Sequence, residues 1–130
     1  MQPHLSLRLA ATPESLAEAR AEARAWLGQV GVYGDVCHDL VLALSEALAN
    51  AIEHASDPIE EVVRVTASRI DGHVLIEVVD TGKWAVQPLP DERNRGRGLE
   101  LIRALVDDVL IRQGAYGTTV ELLRRVQPGC

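Results

Sequence analysis

Two β-branched-rich runs, Glu61 to Ile70 and His73 to Val79, meet across the dipeptide Asp71-Gly72. That dipeptide between two such runs is the strongest short-range signal for a β-hairpin. A hairpin alone is marginal in water, so further strands or helices must cover its apolar face. The rest of the chain therefore has to supply a layer that packs on a sheet.

The flanking segments read as that layer. His4 to Ala10 alternates, with Leu5, Leu7 and Leu9 on one side and Ser6 and Arg8 on the other, as a half-buried strand does. Thr12-Pro13 opens a helix, with Thr12 as cap and Pro13 at the first helical position, running to about Gly28. Leu16, Ala19, Ala23, Trp26 and Leu27 point inward. Asp35 caps a second helix from about Val36 to Ala55, which Ser56-Asp57-Pro58 stops. Asp80 to Arg95 has no apolar period and reads as a long loop, and Gly98 to about Val106 is a third helix. Val109 to Arg112 and Thr118 to Val126 are strands around a turn at Gly114 to Gly117. The sum predicts an α/β fold: a two-layer sandwich, with a mixed, mostly antiparallel sheet of about five strands and three helices on one face.

One domain over residues 1–130 is the simplest division, and that length can bury a core unaided. Phe is absent, so the core must be mostly aliphatic. The net charge of −6 argues against nucleic acid or an anionic membrane as partner, since both need a basic footprint. Two cysteines, Cys37 and Cys130, make no disulfide framework, and no leader or bilayer-spanning stretch is visible. A cytoplasmic location is expected.

Chemistry concentrates in four short signals. The first lies on the second helix, where Glu46, Asn50 and His54 stack at a spacing of four. This is either a solvated stripe or the wall of a magnesium-nucleotide site. The second is Asp80-Thr81-Gly82, at the end of an apolar strand. The third is Gly96-Arg97-Gly98, opening a helix, and the fourth is Gly117-Thr118, opening the last strand. Each is weak alone. Together, in these contexts, they are specific.

With these segments the chain resembles the GHKL superfamily of ATP-binding domains, the Bergerat fold. It is most similar there to the anti-sigma-factor serine/threonine kinases of bacteria. The resemblance rests on Ser45 to His54, Val78 to Gly82, Gly96 to Leu99, Leu105 to Val109 and Tyr116 to Val120, and extends over essentially the whole chain. Histidine kinases fit less well, because a phosphoacceptor helix is lacking.

The resemblance implies ATP and Mg2+ as cofactors. Asn50 would be the metal ligand, a hard neutral oxygen suited to magnesium. Glu46 would be the catalytic base that takes a proton from an attacking hydroxyl. Asp80 would accept a hydrogen bond from the exocyclic amine of adenine, and Gly82 would let the backbone approach the base. Gly96 and Gly98 would lead phosphate to a helix N-terminus, with Arg97 adding a charge-assisted contact. Thr118 would reach the adenine edge. His54 either faces the pocket or is satisfied by the helix C-terminus.

The implied partners are an RNA polymerase sigma factor and a STAS-domain antagonist whose serine is phosphorylated. Direct contact with nucleic acid or membrane is not implied, and a homodimer is compatible. Arg20 and Arg24, on the outer side of the first helix, are the candidate partner contacts. Two features depart from the family pattern. Trp84 stands where a second glycine is common, and the candidate lid from Lys83 to Arg95 is short and Pro-rich. They keep open an ATP/ADP-dependent binding module without phosphoryl transfer.

Overall fold

A computed structural model of the chain describes residues 3–53, 55, 61–80, 92–114 and 117–126, with residues 92–98 described in their backbone alone. Strand β1 (Leu5–Ala10) leads into helices α1 (Glu14–Gln29) and α2 (Gly34–Glu53). The hairpin β2 (Val62–Ile70) and β3 (His73–Asp80) follows, then α3 (Glu92–Leu105), β4 (Asp108–Gly114) and β5 (Gly117–Arg125).

The five strands form one sheet in the order β1-β2-β3-β5-β4. Every neighbouring pair is antiparallel, so the sheet is not mixed as the sequence led us to expect. The reason is topological. The crossover through α3 returns β4 in the same direction as β3, but β5 lies between them, and no parallel pair forms.

The hairpin turns where Asp71-Gly72 placed it, with Asp71 at φ 52. Aspartate visits this left-handed region more readily than most residues because its short side chain can hydrogen-bond locally. The chain end closes on the same turn, where the Val126 N–H donates to the Gly72 carbonyl at 2.7 Å.

Alternation buries one face of the sheet. Val63, Val65 and Ala67 of β2, Val74, Ile76 and Val78 of β3, and Leu122 of β5 are buried, whereas Arg64 and Thr66 are exposed. The helices cover that face: α1 lies on β1, α2 spans β2, β3 and β5, and α3 packs on β4 and α2. Leu40, Leu44 and Leu48 are the spine of α2 and are wholly buried. Each contributes about 2 kcal/mol in apolar transfer, which outweighs the helix propensity of any single position.

The helix ends differ in detail from expectation. Thr12 caps α1 through its backbone: the Ser15 N–H donates to the Thr12 carbonyl at 3.0 Å, while the Ser15 hydroxyl bonds the Ala10 carbonyl at 2.7 Å. At the other end, Gly31 takes φ 80, and the Arg69 guanidinium donates to the Val30 carbonyl. A side chain on Gly31 would be strained by that φ and would press on Arg69. Helix α2 starts at Gly34, which places Asp35 in its first turn. Helix α3 starts at Glu92, six residues before the expected Gly98. The turns it gains are polar, so no apolar period announced them; Glu and Arg are good helix formers all the same.

Candidate functional site

Helix α2 carries the first part of the site. Ala43, Leu44, Ala47, Leu48 and Ala51 face the sheet and are buried. Glu46 and Asn50 lie one turn apart on the border of that apolar face and are half-buried. Leu44 and Leu48 fix the other side of the helix against the sheet, so core packing sets the rotation of the helix that carries Glu46 and Asn50. His54 lies outside the described residues.

The sheet carries the second part. Asp80 ends β3 and Thr118 begins β5, and the two are register partners. Both are buried, at 2% exposure each, on the helix-covered side. They belong to a row across the sheet, Leu9–Val63–Asp80–Thr118–Gln113. Leu9 and Val63 seal it on one side. A polar pair therefore interrupts an otherwise aliphatic core. The Thr118 hydroxyl is fully buried and has no hydrogen-bond partner among the described residues. A buried polar group in that state costs free energy unless something else satisfies it.

Arg124 orients α2 over this row. Its guanidinium pairs with Asp39, near the start of α2, at 3.7 Å, so the first turns of the helix lie over the last residues of β5. The helix rises about 16 Å from Asp39 to Asn50. The strand runs about 20 Å from Arg124 back to Thr118. The Glu46–Asn50 stripe thus comes to the end of the sheet that holds Asp80 and Thr118. Residues far apart in the chain are thus directed toward one end of the sheet.

The donor set suits a magnesium nucleotide. Asp80 offers a buried acceptor and Thr118 an unspent hydroxyl, which match the edge of an amine-bearing purine. Asn50 and Glu46 offer oxygens at the solvent border, where phosphates and magnesium water could reach. Among the described residues no group of three or more His, Cys, Asp or Glu forms a protein cage for a metal. Magnesium does not need one, since it keeps several waters and is shared with phosphates.

The glycine pair sits differently from expectation. Gly96, Arg97 and Gly98 lie within α3, past its first turn, and not ahead of its N-terminus. Their N–H groups fall within the helical run, and the free N–H groups belong to the turn that starts at Glu92. Gly82 and residues 83–91 of the candidate lid lie outside the described residues, and 92–95 are helical. On α1, Arg24 is exposed, but Arg20 is half-buried and donates to the Ser45 hydroxyl at 3.2 Å. Arg20 thus ties α1 to the helix that bears Glu46.

Sequence reasoning missed Arg124. Besides Asp39, it bonds the Leu105 carbonyl at the end of α3 at 3.2 Å. The only hint was a charged residue at an inward position of β5, opposite buried Val74.

Residues 9–124 match the histidine kinase-like ATPase domain family. An anti-sigma F factor of Clostridium botulinum is 27% identical over 93% of this chain and 93% of its own length. The serine-protein kinase RsbW of Oceanobacillus iheyensis is 26% identical over 95% of this chain and 87% of its own. Among solved structures, that of the RsbU and RsbW domains of Rv1364c from Mycobacterium tuberculosis superposes with a TM-score of 0.79 at 34% identity. The match covers 98% of this chain and about a third of that one, 34%. The family match over residues 9–124, these likenesses and the fold agree: the chain belongs to the histidine kinase-like ATPase domain family.

Proposed function

We propose that the chain is a single ATP-binding domain that acts as a cytoplasmic anti-sigma factor with serine/threonine kinase activity. It binds Mg-ATP between α2 and the β3–β5 end of the sheet, holds a sigma factor, and phosphorylates a serine on a STAS-domain antagonist. The observation that carries the nucleotide is the buried Thr118 hydroxyl, without a partner among the described residues, beside buried Asp80. The printed names of the relatives carry the kinase and anti-sigma roles.

Each residue has a task in this reading. Asp80 accepts from the exocyclic amine of adenine and so disfavours guanine, which has a carbonyl at that edge. Thr118 satisfies its hydroxyl on the base. Asn50 holds magnesium through its amide oxygen. Glu46, one turn earlier on the same stripe, takes the proton of the attacking serine hydroxyl. Gly82, two residues after Asp80 in the sequence, would let the backbone pass close to the base, and His54, four residues after Asn50, is the further candidate contact. The free N–H groups of the first turn of α3, which starts at Glu92, would face the phosphates, with Gly96, Arg97 and Gly98 in the helix behind them. Bound Mg-ATP supplies the phosphoryl group and neutralises its developing charge.

Incubation of the wild type with labelled ATP and a purified antagonist tests this. The expected result is phosphoserine on the antagonist, lowered about 100-fold or more in Glu46→Gln, with ATP affinity kept. Nucleotide-dependent partner binding without any phosphoserine would replace the kinase by a switch that only grips its partner. The Trp84 substitution in the lid motif favours that second reading.

A further inference from the structure

Arg124 is a charged side chain on the covered face of the sheet, and the mechanism above does not use it. Its register partner on β3, Val74, is wholly buried, and an aliphatic residue would pack at the same place. The Arg124 Nε is buried and without an acceptor among the described residues. An aliphatic residue there would leave no buried donor unmet, so stability alone gives no reason for a guanidinium at this position.

The other two nitrogens are well used. One donates to the Leu105 carbonyl, in the last turn of α3, at 3.2 Å. Carbonyls there have no partner within the helix, and a cation complements the negative end of the helix dipole. The other pairs with Asp39 of α2 at 3.7 Å. A single guanidinium thus ties the end of α3 to the start of α2, the helix that carries Glu46 and Asn50.

Neighbouring contacts complete the anchor. The Asp107 N–H donates to the Leu123 carbonyl at 2.9 Å, and the Arg125 N–H donates to the Asp107 carboxylate at 2.5 Å. Ile102 and Val106 are buried beside them. The C-terminal end of α3 is therefore fixed to β5, while its glycine-bearing end lies away from this anchor. Gly96 and Gly98 weaken the helix at that end.

We infer that Arg124 is a positioning residue: it sets the register of α3 against α2, and through it the grip of the site on the phosphates of the nucleotide. The inference rests on the nucleotide reading given above. It makes a distinction that general destabilisation does not. Phosphate binding depends on where α3 stands, whereas adenine binding depends on Asp80 and Thr118 at the strand ends.

Calorimetry with Mg-ATP and with adenosine separates the two. In Arg124→Met the Kd for Mg-ATP should rise about tenfold, the size of one lost charge-assisted hydrogen bond. The Kd for adenosine should change by less than about twofold, because the base contacts remain. Arg124→Lys can reach Leu105 or Asp39 but not both, and should fall between. Asp39→Asn, at a half-buried pair, should move the ATP-to-adenosine ratio the same way. Hydrogen exchange without nucleotide should quicken at the α3 amides of Arg124→Met and not in β2 or β3. An unchanged ratio of the two Kd values in both Arg124→Met and Asp39→Asn overturns the inference and leaves the nucleotide reading standing. A wild type that binds neither ligand overturns the nucleotide reading itself.

Discussion

Asp80 and Thr118 face each other across β3 and β5, both 2% exposed, in a sheet whose other fully buried positions are aliphatic. The Thr118 hydroxyl finds no partner among the described residues. Thr118→Val therefore removes no hydrogen bond to a described residue. Its melting temperature should stay within a few degrees of wild type or rise. Its affinity for ATP should fall by roughly fivefold, equivalent to about 1 kcal/mol of net hydrogen bond. Paired thermal denaturation and calorimetry check both halves, and a large loss of stability would show that the hydroxyl has a structural duty instead.

Asp80 should govern base choice. In Asp80→Asn the carboxylate gives way to an amide that both donates and accepts, so the preference for adenine weakens. ATP affinity should drop by about tenfold to a hundredfold, the range of a hydrogen bond to a charged group. Competition between ATP and GTP for a fluorescent nucleotide measures it. Unaltered discrimination would remove Asp80 from the base pocket.

Leu48 lies on the sheet-facing side of the helix that carries Glu46 and Asn50 and is wholly buried. Leu48→Ala should destabilise the fold by about 2–5 kcal/mol, through lost transfer energy and the cavity left behind. Urea denaturation reads it. At low temperature, where the variant is still folded, phosphoryl transfer should also fall, because the helix that carries Glu46 and Asn50 loses packing against the sheet.

Cys37 provides a pH signature. Burial raises its thiol above the ordinary 9.0, with the Arg24 charge pulling weakly the other way. The folded state then keeps the proton to higher pH than the unfolded chain does. The stability this brings is present below the unfolded thiol value and is lost as pH rises through the folded one. In a Cys130→Ser background, adding Cys37→Ser should flatten the decline of stability above about pH 8.5. Alkylation of Cys37 in the folded protein should be slower than that of a free thiol at the same pH. Equal rates would show a solvated thiol.

Much of the architecture was legible before any coordinates. The Asp71-Gly72 hairpin, the alternation in β1 and the apolar stripe of α2 are short-range patterns, set by local sterics and by period, and each appears where its residues placed it. Boundaries suffered where period is silent. The first turns of α3 are polar, so their helix could not be read from apolar spacing. The fully antiparallel sheet also escaped, because the insertion of β5 between β3 and β4 is a choice among strand orders that no local pattern encodes.

The site divides along the same line. Glu46 and Asn50 share a face because helical geometry makes residues four apart neighbours, and that much follows from the chain's own spacing. That Asp80 should sit opposite Thr118 does not follow from spacing, since residues 81–117 intervene and only strand pairing closes the distance. Nor could spacing show that Arg124 would bind the end of α3 and the start of α2 together. Periodicity acts within a few residues and settles which side chains share a surface. Which surfaces meet is decided by burying all of them at once, and that is a property of the packed sheet and helices.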